Sequence, residues 1–88
     1  MKALAVSTLL IALGCATTGA FAGPTCTAPK DQWKPQDAFQ QDLRNQGYQI
    51  RTFKVTKGNC YEIYGTDKTG KKVEIYFDPA TGAVLKSE

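Results

Sequence analysis

The chain has 88 residues, with 11 Lys and Arg against 8 Asp and Glu, no histidine and a formal net charge of +3. A surplus this small, interspersed with acids, argues against a nucleic-acid-binding stripe, and the missing histidine removes the commonest general base. Three cysteines in so short a chain turn attention to the compartment in which it folds.

The chain opens on Met1-Lys2, followed by an uncharged apolar run from Ala3 to Leu13. That run is too short to span a bilayer, which takes about 20 apolar residues. Small and polar residues follow, and Ala20-Phe21-Ala22 supplies an A-x-A motif before Gly23. This three-part layout predicts a cleavable secretory signal over residues 1–22 and a periplasmic or secreted domain of about 66 residues. A competing use of the same stretch is lipidation at Cys15, since Ala12-Leu13-Gly14-Cys15 approximates a lipobox with Ala12 where leucine is usual. Loss of Lys2 with the signal leaves 10 Lys and Arg against 8 Asp and Glu, a net charge of +2.

Residues 23–34 hold Pro24, Pro29, Thr25 and Thr27 and read as an extended lead-in whose one large apolar side chain is Trp33. Cys26 lies within it and Cys60 lies far downstream. In an oxidising compartment this pair reads as a disulfide. Two distant cysteines with no histidine make a poor metal site, and the C-x-x-C of a redox centre is absent. Closing a loop of about 35 residues contributes on the order of 3–4 kcal/mol in the chain-entropy picture, which matters for a core this small.

Residues 35–46 read as a helix. Pro35 suits its start, Asp37 suits the first-turn dipole, and Ala38, Phe39 and Leu43 form a short apolar stripe. Gly47 fits the left-handed position past the helix end, with Tyr48 packing back on Leu43 as in a Schellman motif. Strands are predicted over residues 48–56, 60–66, 72–77 and 83–86. The connections Lys57-Gly58-Asn59 and Asp67-Lys68-Thr69-Gly70-Lys71 each hold a glycine, which is expected to take the positive φ of the turn. The fold class is therefore α+β: one N-terminal helix packed on a three- to four-stranded antiparallel meander sheet.

Register follows from the alternation. Pairing Thr56 with Cys60 sets Phe53 opposite Ile63, Val55 opposite Tyr61, and Lys54 opposite Glu62. Pairing Ile63 with Ile75 then places Tyr61, Ile63, Val73, Ile75 and Phe77 on one apolar face, and a one-residue slip would bury charges. Early in the first strand the pattern fails, because Arg51 points in and Ile50 out; a bulge there repairs it. The opposite face carries Lys54, Cys60, Glu62, Tyr64, Glu74 and Tyr76. The tripeptide Glu-Ile-Tyr occurs at 62–64 and again at 74–76, setting Glu62 opposite Tyr76 and Tyr64 opposite Glu74. Such pairs support a sheet, and an amphipathic Tyr/Glu/Lys surface also suits a protein partner. Lys54, Glu62, Tyr64, Glu74 and Tyr76 are the candidate partner surface. The Cys26 segment, together with Trp33, is expected to cross part of it.

No catalytic set is legible. There is no G-x-S-x-G, no Gly-rich phosphate loop, no calcium-loop spacing and no C-x-x-C-H for haem. Glu62 and Glu74 are neighbours on an open sheet rather than the walls of a cleft. No catalytic, cofactor or metal site is assigned.

From Pro35 onward the chain resembles the PepSY domain family. The residues that carry the resemblance are the short helix with Ala38, the run Cys60-Tyr61-Glu62-Ile63-Tyr64, and the run from Lys71 to Leu85, whose D-P-x-T-G turn at 78–82 precedes a short apolar strand. The resemblance covers roughly 50 residues and places the family domain at 35–88. It implies a non-catalytic module of the kind found in propeptides of secreted metallopeptidases, in envelope proteins and beside membrane cytochromes and reductases. No peptidase domain follows in these 88 residues, so the expectation is a free-standing binding or regulatory module that docks a cell-envelope protein. The alternatives are an inhibitor of an exported peptidase and an accessory subunit of a membrane redox protein. No nucleic acid, small-molecule substrate or cofactor is expected as a partner.

Overall fold

The computed structural model describes residues 23–88. The signal-peptide reading of residues 1–22 and the lipidation of Cys15 lie outside the described residues.

The lead-in runs extended to Pro29, makes one 3₁₀ turn at Lys30–Gln32, and reaches the α-helix α1 at Gln36–Asn45. Pro35 stands just outside the helix as its N-cap, in extended conformation, and its carbonyl accepts the first helical hydrogen bond from the Phe39 N–H at 2.9 Å. The helix thus begins one residue later than its pattern suggests, because proline's fixed φ also fits the residue before the first turn. The other end follows the expectation. Gly47 has φ +103°, its N–H donates to the Arg44 carbonyl at 2.9 Å, and the Tyr48 N–H reaches back to the Leu43 carbonyl at 3.1 Å. That pair of bonds is the Schellman closure, and Tyr48 packs on the core beside Leu43.

Four antiparallel strands follow in meander order: β1 (Gln49–Val55), β2 (Tyr61–Thr66), β3 (Lys72–Phe77) and β4 (Val84–Ser87). The two expected registers are present, with Phe53 opposite Ile63, Lys54 opposite Glu62, Ile63 opposite Ile75 and Tyr64 opposite Glu74. The ladder between β1 and β2 shifts between Ile50 and Thr52, so Arg51 is the bulged residue. The shift returns Ile50 to the core face, as the side-chain period of two requires. A second bulge, at Leu85, interrupts the pairing of β3 with β4.

Turn chemistry explains most of the connections. In the first hairpin the positive φ belongs to Asn59, at +65°, and not to Gly58. A three-residue hairpin loop needs its left-handed residue last, and asparagine tolerates that conformation. Gly58 is buried instead, and its carbonyl accepts the Cys26 N–H at 2.8 Å. In the second hairpin Gly70 takes φ +85°, and Asp67 Oδ1 accepts from Thr69 N, Thr69 Oγ1 and Lys71 N. The Thr69 hydroxyl foremost holds the Asp67 carboxyl below its ordinary pKa. In the third turn Asp78 Oδ1 accepts from Ala80 N at 2.8 Å, and Gly82 has φ +79°.

Phe39 is the hub of the core, with ring centroids 5.0 Å from Tyr61 and 5.0 Å from Phe77. Leu43, Ile63 and Ile75 complete the buried cluster, so α1 lies on the apolar face of the sheet. Trp33 joins this face, edge-on to Tyr61 at 5.6 Å. It does not cross the opposite face as expected. The 3₁₀ turn carries it to the helix side, where its indole N–H donates to the Ala28 carbonyl at 3.0 Å. The Tyr61 hydroxyl reaches the Lys34 carbonyl at 2.6 Å and Lys34 N–H donates to the Pro79 carbonyl at 2.8 Å, which ties the lead-in to the sheet. The disulfide joins Cys26 to Cys60, with Cα atoms 5.2 Å apart.

Candidate functional site

The face of the sheet away from α1 is built by alternation alone. β1 contributes Lys54, β2 contributes Glu62 and Tyr64, β3 contributes Glu74 and Tyr76, and β4 contributes Lys86 opposite Tyr76. Their solvent access differs sharply. Tyr64 is 38% exposed and the Lys54 side chain 53%, whereas Glu62 is only 2% exposed and Tyr76 6%. The lead-in accounts for part of this difference. It enters across the end of the face, where a Cβ built on Gly23 would stand 2.9 Å from the Tyr76 ring.

Glu62 is the unusual residue of the set. A charged residue is almost never fully buried unless paired. Its Oε1 lies 3.7 Å from the Lys54 ammonium, a loose contact, and its Oε2 has no donor at all. Burial first, and then the hydrogen bond with the Glu74 side chain, raise the Glu62 pKa above the ordinary glutamate value. Tyr64, Lys54 and Tyr76 oppose that shift. Glu74 moves the other way. The same bond with Glu62 is the largest cause that lowers it, helped by Tyr64, by Tyr76 and by the charge of Lys86. The two carboxyls are thus pushed apart, Glu62 toward its protonated form and Glu74 toward its ionised form. The unpartnered Oε2 of Glu62 is the atom of this pair that still lacks a hydrogen bond.

The tyrosines belong to the same network. The Tyr76 hydroxyl donates to Glu74 Oε2 at 3.0 Å. Burial first, then the Glu74 bond and the nearby carboxylates, push the Tyr76 phenol upward. The bond to Glu74 leads the causes that push the Tyr64 phenol up to about 12. Both hydroxyls stay protonated at any physiological pH, so they serve as donors. Lys54 also lies 5.7 Å from the centroid of the Tyr64 ring, within cation–π range.

The five candidate side chains are thus gathered on one face, with Glu62 and Tyr76 as its floor and Lys54, Tyr64 and part of Glu74 open to solvent. Lys86 belongs beside them and is missing from the sequence reading; its place in the short last strand becomes legible only once the bulge at Leu85 is known. Gly65 is a second omission. A Cβ there would overlap the Gln49 carbonyl oxygen, so the β1 bulge requires glycine at that position. A glycine inside a strand is the available signal for such a close approach.

Chemically, the face can donate hydrogen bonds, accept a cation at Glu74 and stack an aromatic or guanidinium group on Tyr64. Among the described residues no group of three or more His, Cys, Asp or Glu is placed to hold a metal ion. On the other side of the sheet, a shallow groove of about 230 Å³ runs between α1 and β4, floored by Phe39, Leu43 and Phe77.

Comparison with known proteins gives a family and no individual relative. No curated protein and no solved structure matches the chain. A family model described as "Peptidase propeptide and YPEB domain" matches residues 5–88, nearly the whole chain and well beyond the stretch from Pro35 that carries the resemblance by motif. With its helix, its four-stranded meander and its Asp78 turn in place, the chain belongs to the PepSY_2 family of peptidase propeptide and YPEB domains.

Proposed function

We propose that the protein is a non-catalytic binding or regulatory module of the cell envelope that docks an envelope protein through the outer face of its sheet. One observation carries this reading. α1 covers one face of the sheet, while the other presents Tyr64, Lys54 and Glu74 in fixed positions over a buried carboxyl and phenol. Tyrosine with flanking charge is the composition of an interface centre and rim. The disulfide supports a periplasmic or secreted location, where such bonds persist.

Affinity isolation from envelope extract with matched variants tests the reading. Tyr64→Ala is expected to lower the yield of a specific partner at least about fivefold, the loss of one interface anchor worth about 1 kcal/mol. Gln41→Arg, on the exposed side of α1, is expected to leave it unchanged. Equal recovery by both variants contradicts the proposal.

A second reading is favoured by the family itself, whose description names peptidase propeptides. In that reading the same domain inhibits an exported peptidase. Purified domain is then expected to slow peptide hydrolysis by an exported metallopeptidase at micromolar concentration, and inactivity across a panel of such enzymes contradicts it.

A further inference from the structure

Gly23 immediately follows the Ala20-Phe21-Ala22 motif, and it packs on Tyr76 of the outer face. Its φ is +104°, and a Cβ on it would come within 2.9 Å of Tyr76 Cε2 and 3.3 Å of the Tyr76 hydroxyl oxygen. The amino nitrogen of Gly23 is bonded to the same Cα. From that hydroxyl the next atom in the network is Glu74 Oε2, at 3.0 Å, and opposite Tyr76 on β2 stands the buried Glu62, whose Oε2 has no hydrogen-bond partner. The cations facing this pair are weakly placed. Lys54 approaches Glu62 only to 3.7 Å, and Lys86 is held by Glu88 at 2.8 Å.

We propose that removal of residues 1–22 completes this site: the new α-ammonium group of Gly23 docks beside Tyr76 and ion-pairs with the Glu74–Glu62 carboxyls. The inference rests on the reading of the chain as an exported precursor. Water adds across the Ala22–Gly23 peptide bond in the active site of the processing peptidase. The carboxyl goes to Ala22 and the amine to Gly23, which takes up a proton at neutral pH because an ordinary α-amino group has a pKa of about 7.7–8.0. Before cleavage that nitrogen is a neutral amide. After cleavage it is a cation on the Tyr76 side of a carboxyl pair in which Glu62 Oε2 has no hydrogen-bond partner and whose nearest lysines are loosely placed or held elsewhere. The groups facing it are Lys54 from β1, Glu62 and Tyr64 from β2, Glu74 and Tyr76 from β3, and Lys86 from β4. The closeness of the Tyr76 ring also gives a reason for glycine at this position, since a side chain would press into it.

Three versions of the domain test the pairing: one starting at Gly23, the same one acetylated on its α-amino group, and one with a single alanine before Gly23, which moves the charge by about 3.5 Å. NMR titration of the amine and of the glutamate side-chain carbons is the readout. In the Gly23 version the amine is expected to titrate above its ordinary range, and Glu62 to titrate lower than in the acetylated version. The folding equilibrium constant at pH 6 is expected to be about threefold larger than in the acetylated version, as for a half-exposed ion pair. Glu74→Gln is expected to return the amine to its ordinary range. An amine that titrates normally, with carboxyl titrations unchanged by acetylation, overturns the pairing. The mass of the protein exported by its own cells checks the underlying reading separately: a start other than Gly23 overturns processing at this bond whatever the titrations show.

Discussion

At the scale of single residues, Glu62 has the most to explain. Its raised pKa has an unusual sign for a carboxyl, and the consequence for stability runs opposite to the common case. A group whose pKa is higher folded than unfolded contributes stability below its unfolded value and loses it as pH rises through the folded value. Glu74, lowered by the same bond, contributes above its unfolded value and loses it as pH falls through its folded one. The pair is at its best between the two folded values. Urea denaturation of the Nα-acetylated domain is therefore expected to show a stability maximum near the ordinary glutamate range, with a decline as pH rises above it. Glu62→Gln replaces the titrating carboxyl with a permanent N–H donor, and it is expected to flatten that decline. A variant that declines with pH as steeply as the parent contradicts Glu62 as the source of the decline. Gly65 offers a second test at this scale. Gly65→Ala forces a Cβ into the Gln49 carbonyl oxygen and is expected to cost about 1–3 kcal/mol, as for overpacking. Asn59 offers a third. Asn59→Val places a β-branched residue at φ +65° and is expected to cost about 1–2 kcal/mol, whereas Asn59→Gly is expected to be nearly neutral. Both are read from denaturation midpoints at constant m-value.

At the scale of elements, hydrophobic alternation decides almost everything about β1, β2 and β3. Phe53, Ile63 and Ile75 have one register that keeps Lys54, Glu62 and Glu74 out of the core, and the sheet adopts it. The Arg51 bulge was legible for the same reason, as the repair that returns Ile50 to the apolar side. The bulge at Leu85 was not legible, because a four-residue strand offers too few alternations to show a break. The lead-in was half legible. Cys26 announced that it is tied to the sheet, but the 3₁₀ turn that sends Trp33 to the helix side depends on tertiary contacts with Tyr61 and Ala28. The element-scale prediction concerns this tether. Replacing both cysteines with alanine is expected to cost on the order of 3–4 kcal/mol. It is also expected to raise hydrogen-exchange rates first at the Cys26 amide, whose partner is the Gly58 carbonyl. Protection at Cys26 that survives the loss of the disulfide contradicts the tether's role in holding the lead-in.

At the scale of the whole molecule, the domain places its one helix and its aromatic core on one side of the sheet and its polar network on the other. The five candidate surface residues were legible because period-two alternation assigns them to one face. Their unequal exposure was not, because the burial of Tyr76 depends on the path of a lead-in fixed by a bond 34 residues away in sequence. This asymmetry narrows the proposed contact surface to Tyr64, Lys54 and Glu74, with Glu62 and Tyr76 positioning them from beneath. The most direct test is a photo-crosslinking side chain installed in living cells, at Tyr64 in one strain and at Gln40 on α1 in another. Adducts to one envelope protein from position 64, absent from position 40 and weakened by Glu74→Gln, are the expected result. Adducts from position 40 alone contradict the account.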